Sequence, residues 1–314
     1  MAAPTNTLTT ATSIGNREDL EDVIYRVAPE ETPFYSNIGK TDAKAIYHEW
    51  QTENLAPAVA TNANPEGNTF VLGTANLTTR LGNTCQIPTK VLGVSETEDA
   101  VKKAGRSSET NRQKVLKGIE ARRDFEMTII GNNASVPTGN RATGGALAWM
   151  VTNTSLGVGG ANGGFATGTV AAATNGTTRP LTETLVKAVM ASAFAAGGKP
   201  TQAYMGPIQK QEFSAFTGIA TIRHEAPGEK MTAIIGAADV YVSDFGNLMT
   251  VPHPYGLGRD VLGIDPKMWA VGVLRGWQSE ELAKVSDSTQ YAILMEGCLV
   301  ARNERSSFAI RDLN

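Results

Sequence analysis

Two strand-like stretches near the start of the chain, AIYHEWQTENL and TFVLGTANLTTRLGNTCQIPTKVLG, flank a polar run, APAVATNANPEGN, within residues 44 to 92. Ile46, His48 and Trp50 alternate against Tyr47 and Glu49, and alternation returns from Leu77 to Leu81, which predicts a two-stranded ribbon. The linker is too polar and too long to be packed in a core. A two-stranded ribbon is at best marginally stable alone in water, so this one must lie on something. A neighbouring copy of the same protein is a natural candidate.

The elements around the ribbon are legible in outline. Residues 1 to about 16 are rich in Thr, Ala and Asn and read as a flexible arm. Leu20, Val23, Ile24 and Val27 then mark one face of a short helix that Pro29 stops. Ser95 with Glu98 forms a capping box for a helix that Gly105 ends. Ser107 or Ser108 caps the longest helix, Glu109 to Ile130, about 33 Å long at 1.5 Å per residue. Its apolar surface comes from Val115, Ile119, Phe125, Met127, Ile129 and Ile130, with Arg122–Glu126 and Glu120–Arg123 expected as solvated pairs. Residues 137 to 179, rich in Gly, Ala, Thr and Asn, read as an exposed, adaptable loop system that buries little.

Downstream, Thr182 caps a helix with Leu185, Val189 and Ser192 along one side and Gly197 as its stop. A second short helix has Pro207 at its first position and Gly218 at its end. Strands are expected in AIIGAADVYVS, NLMTVPH and KMWAVGVL. After a short charged, helix-like turn, the closing strands are TQYAILMEGCLVARNE and SSFAIRDL.

Composition narrows the function. Acidic and basic residues nearly balance, 31 against 28, which gives no support for sequence-independent nucleic-acid binding over the whole surface. Cys85 and Cys298 lie far apart with no CxxC spacing, so the expectation is two buried thiols in a reducing cytoplasm rather than a disulfide framework or zinc site. The first residues have neither the basic start nor the apolar core of a secretory signal, and no run of about 18 apolar residues occurs. The expectation is a soluble product of the cytosol that neither enters nor touches a membrane.

Catalytic patterns fail one by one. His48, His224 and His253 have no ligand spacing between them, and no GxSxG is present. Ile38 to Thr41 (IGKT) copies the tail of a phosphate-binding loop, but Phe34 stands where its first glycine is required. Gly157 to Gly164 (GVGGANGG) misses the third glycine of a dinucleotide fingerprint. The pairs Glu30–Glu31 and Glu280–Glu281 read as solvated. The expectation is a chain with no catalytic residues, no cofactor and no metal.

Ala28 to Gly39 (APEETPFYSNIG), His48 to Asn54 (HEWQTEN), Arg122 to Gly131 (RRDFEMTIIG), Arg141 to Gly145 (RATGG) and the closing LRGWQSEELAKVSDS and NERSSFAI together carry a likeness that touches nearly the whole chain. In these segments, and in the order of its elements, the chain resembles the major capsid proteins of tailed double-stranded-DNA phages. That likeness implies the Hong Kong 97-type α+β fold. The N-terminal arm would be residues 1–43, the extended E-loop hairpin 44–92, and the peripheral domain 93–179, with a spine helix at 109–130 and glycine-rich loops. The axial domain would be 180–270, with 271–314 returning as strands to the peripheral domain.

The resemblance further implies self-assembly into pentamers and hexamers of an icosahedral or prolate head. A portal protein, scaffold and decoration proteins, and packaged double-stranded DNA on the inner face are the implied partners. Assembly contacts are expected at Glu49, Glu53, Arg80, Arg122, Arg123 and Glu126. A shell-decorating or tail-associated binding module is the alternative, and the long helix argues against it.

Overall fold

A computed structural model describes residues 26–69, 72–105, 107–216, 239–284 and 286–314. In chain order the elements begin with helix α1 (Pro33–Asn37), β1 (Gly39–Asp42), β2 (Tyr47–Thr52), β3 (Thr79–Thr84) and β4 (Thr89–Ser95). Helices α2 (Glu96–Ala100), α3 (Glu109–Ile130) and α4 (Ala146–Trp149) follow, then β5 (Thr154–Ser155), β6 (Gly164–Ala166) and β7 (Thr169–Ala171). The next elements are α5 (Glu183–Ala195), β8 (Gln202–Met205), α6 (Pro207–Ser214), β9 (Val240–Ser243), β10 (Gly246–Pro252) and β11 (Val261–Ile264). Last come β12 (Trp269–Glu281), β13 (Ser288–Ala301) and β14 (Phe308–Ile310).

Two sheets carry the architecture. A four-stranded sheet has the order β1-β12-β13-β4 and a six-stranded sheet the order β5-β14-β11-β8-β10-β9. Helix α3 lies along β4 and β13. The main core joins the two sheets, with Phe34, Phe125, Ile129, Trp269, Val271 and Leu299 meeting Tyr204, Leu262, Ile264 and Ala309. A second core lies between the six-stranded sheet and α5 and α6, built on Val186, Val189, Met190, Phe213, Leu248, Phe308 and Ile310. Burying each such side chain contributes about 1.5–3 kcal/mol.

The local signals explain most helix starts. Ser95, Ser108 and Thr182 accept hydrogen bonds from the backbone N–H of Glu98, Asn111 and Leu185, satisfying donors that a helix start leaves open. The Asp99 carboxylate adds a second acceptor for α3 at the Glu109 N–H, 2.9 Å away. It is also negative charge at the positive end of the helix dipole. Pro207 opens α6 at its first position.

Several expectations are corrected. The helix after Ser95 is five residues long, ending at Ala100 rather than Gly105. Thr89–Ser95 is not part of the ribbon but the edge of the four-stranded sheet, paired with β13. The charged stretch SEELAK is no helical turn, because strand β12 continues through Glu281. On α5 the buried face is Val186, Val189, Met190 and Ala193, one position on from the predicted stripe.

The glycine-rich segment buries far more than its composition suggested. Ala146 to Met150 are all buried, and an added Cβ on Gly145 would sit 2.1 Å from the Gly131 carbonyl oxygen, so only glycine fits there. The Asp312 carboxylate fixes its loops by accepting from the N–H groups of Gly157 and Gly176, at 2.9 and 2.7 Å. Small residues here permit close backbone approach rather than looseness. Strands β8 and β11, both central in the six-stranded sheet, were not anticipated. The Leu20–Val27 helix, the Gly218 stop and the first part of AIIGAADVYVS fall wholly or largely outside the described residues.

Candidate functional site

The ribbon forms as its alternation predicted. Strands β2 and β3 pair antiparallel from Tyr47–Thr84 to Thr52–Thr79, and residues 53–69 and 72–78 between them form no strand. Gly82 makes room for the Tyr47 ring, whose carbons lie 2.6 Å from where a Cβ would stand. The root is tied to the body by specific bonds. The Trp50 indole N–H donates to the Ala301 carbonyl at 2.8 Å, and its ring packs against Trp149, with centroids 5.4 Å apart. The buried Asn83 amide donates to the carbonyls of Leu299 and Gly144 and accepts from the Gly144 N–H. Burial holds His48, beside Trp50, below the usual imidazole range.

Beyond the root the described residues 53–69 and 72–78 are all exposed. Leu55, Leu72 and Leu77 are 92%, 98% and 87% exposed. They leave apolar surface open on a two-stranded ribbon, which is at best marginally stable alone.

The residues singled out from sequence divide into three groups. Glu49 and Arg80 form an ion pair within the ribbon, and the Glu49 carboxylate holds the Arg80 guanidinium above its usual range. Glu53 is exposed just beyond β2. Arg122 is exposed on α3 and lines a groove of about 410 Å³ with Glu30, Val115, Gly118, Ile119, Trp277 and Ile293. Arg123 turns inward instead, its guanidinium 5.6 Å from the centre of the Tyr255 ring.

Glu126 is a correction. It is fully buried, so it pairs with neither Arg122 nor solvent and offers no direct surface to a neighbour. Its carboxylate accepts from the backbone N–H of Phe34 and Tyr35, both at 2.7 Å, and meets His253 Nε2 at 2.9 Å. It thereby joins α1, α3 and the segment after β10. The other expected helix pair is also different, since Glu120 bonds Lys117 at 2.8 Å rather than Arg123. Sequence spacing placed these groups on a helix face but carried no information on which face the second sheet would cover.

A charge network around the buried Glu296 carries no signal in the sequence. Glu296 on β13 is bridged by Arg141 at 2.8 Å and Arg275 at 2.9 Å, tying the glycine-rich segment to both long strands. Arg275 stands at a bulge in the β12–β13 pairing, which redirects the side chain and cannot be read from alternation alone. Among the described residues no group of three or more His, Cys, Asp or Glu could hold a metal ion. No helix there is long and apolar enough to cross a membrane.

Comparison with known structures agrees with this architecture. A cyanophage A-1(L) capsid chain superposes with a TM-score of 0.65 at 10% identity, covering 97% of this chain and 98% of that one. A chain from Mycobacterium phage Bobi gives 0.63 at 11% identity over 94% and 95%. A chain from the phage G assembly of gp27 major capsid proteins and gp26 decoration proteins gives 0.57 at 10% identity over the whole of both. At such identities the likeness concerns the fold, which is the Hong Kong 97-like fold of phage major capsid proteins.

In sequence, the major capsid protein of Escherichia phage Phieco32 is 32% identical over 120 residues, 38% of this chain and about a third (34%) of that relative's length. The model of the SU10 major capsid protein family matches residues 3–314. The chain therefore belongs to the SU10 major capsid protein family, proteins of the phage head shell.

Proposed function

We propose that this chain tiles a closed head as pentamers and hexamers, with the ribbon of each copy lying over the next. The carrying observation is the exposed apolar series Leu55, Leu72 and Leu77 on a limb whose described ties to the body lie at its root. Identical copies can cover such surfaces mutually, and closed symmetry leaves none of them open. The E-loop is read as 44–92 and the N-terminal arm as 1–43. Residues 93–179 form the peripheral domain, with α3 as its spine helix, and 180–270 the axial domain. Residues 271–314 return as strands, of which β14 joins the six-stranded sheet.

Glu49, Glu53, Arg80 and Arg122 remain available for contacts between copies, whereas Arg123 and Glu126 act on such contacts only through the packing of α3. The shell would enclose double-stranded DNA and meet a portal protein at one vertex. Scaffold and decoration proteins are further partners, the latter by analogy with the phage G assembly.

Amide hydrogen exchange measured on assembled shells and on dissociated subunits tests the reading. Slower exchange across 53–78 in shells supports it. Equal exchange in both states contradicts the placement of the ribbon on a neighbour.

A further inference from the structure

The two cysteines, distant in sequence, are brought into register by the fold. Gln86 and Gly297 exchange both backbone hydrogen bonds, at 2.8 and 3.1 Å, in an antiparallel bridge. The next pair along that bridge is Cys85 opposite Cys298. Cys85 sends its own N–H the other way, to the Ile46 carbonyl at 2.7 Å, so it forms the non-hydrogen-bonded pair with Cys298. Such pairs have Cα atoms about 4.5 Å apart, with side chains on the same face. That separation lies inside the disulfide range of about 4.4–6.8 Å.

Both thiols are free and fully buried, in one small apolar cluster with Ala43, Ala270 and Val300. Their closeness lowers the Cys85 thiol while raising that of Cys298, and Cys85 Sγ also donates to the Ala45 carbonyl at 3.7 Å. Space beside Cys298 depends on Gly272, where an added Cβ would sit 3.0 Å from the sulfur.

We propose that Cys85 and Cys298 are a preformed dithiol that closes in place to an intrachain cross-strand disulfide, fastening the root of the ribbon to β13. With hydrogen peroxide as oxidant the step balances. The Cys85 thiolate attacks one peroxide oxygen, the O–O bond breaks, and the products are a Cys85 sulfenic acid and hydroxide, which takes a proton to become water. The Cys298 sulfur then displaces the hydroxyl from Cys85 Sγ, the S–S bond forms, and the Cys298 proton leaves with the hydroxyl as a second water. Two thiols are oxidised and one peroxide is reduced. Burial slows the first step, so the rate follows opening of the ribbon root. The bond closes a loop of more than half the chain, a span over which a cross-link strongly restricts the unfolded state.

The test exposes the purified full-length chain to graded peroxide, then denatures it, blocks free thiols and maps peptides without reduction. The half-exposed Met127 and Met249 report the oxidant dose. The expected result is concerted loss of both thiols, a linked Cys85–Cys298 peptide that a thiol reductant releases, and a melting temperature several degrees higher. Cys298→Ala is expected to abolish the linked peptide. Three results would overturn the proposal: separate oxidation of the two thiols to sulfinic acids, covalent dimers between chains in place of the internal link, or two free thiols after Met127 and Met249 are fully oxidised.

Discussion

Glu126 holds the start of the fold to its longest helix, and replacing it with glutamine isolates that role. Oε1 meets the Phe34 N–H and His253 Nε2, and Oε2 accepts from the Tyr35 N–H. Glutamine keeps the shape but turns one acceptor into a donor. In its better orientation it retains the first two bonds as neutral ones, about half as strong as bonds to a charged group. It then sets an amide N–H₂ against the Tyr35 N–H, leaving a buried donor unsatisfied at about 1–3 kcal/mol. The sum is about 3 kcal/mol. Glu126→Ala leaves all three groups without their acceptor and costs about 3–5 kcal/mol.

At about 2 °C per kcal/mol for a chain of this size, Glu126→Gln should lower the melting temperature of unassembled subunits by about 6 °C. Amide exchange at Phe34 and Tyr35 should accelerate, because α1 loses its tie to α3 while Phe34 keeps its edge contacts with Tyr204 and Trp269. A melting temperature within about 1 °C of wild type, with unchanged exchange at those two amides, would refute this assignment.

Three further outcomes are expected. Deleting the loop tip Ala58 to Asn68 removes only exposed residues, so the subunit should fold normally yet assemble poorly, and wild-type yields of closed shells would count against the ribbon's role. Trp50→Phe retains ring packing but loses the bond to Ala301, so it should cost about 1–2 kcal/mol in chemical denaturation. Glu183 is held below the usual carboxylate range by Lys187 and by the Tyr241 hydroxyl. Its contribution is therefore present at neutral pH and lost as pH falls through that depressed value. Because the side chain is about a third exposed and its ion pair is screened, Glu183→Gln should lower the melting temperature slightly at pH 7 and not at all in strong acid.

What was legible from sequence was local. The ribbon strands, the caps at Ser95, Ser108 and Thr182, and the extent of α3 follow from alternation and short-range hydrogen bonding, and the structure contains them. What was hidden depended on contacts distant in the chain. Glu126 sits on a helix face that looks solvated until α1 and His253 close over it. Ala146 to Met150 lie in a glycine-rich text whose composition suggests a loose loop, yet those glycines let two backbones approach and bury Trp149. Cys85 and Cys298 have no motif spacing, and only the meeting of residue 86 with residue 297 brings them face to face. The likeness carried by APEETPFYSNIG and the closing strands supplied the fold where periodicity alone could not, because β8 and β11 are too short to announce themselves.

Electron microscopy of the purified protein, read beside its sedimentation profile, tests whether the chain tiles a closed shell. Uniform closed shells, or rings of five and six subunits, are the expected result. A monomer that persists at high concentration, and still persists when a candidate scaffold protein is added, would contradict that assembly.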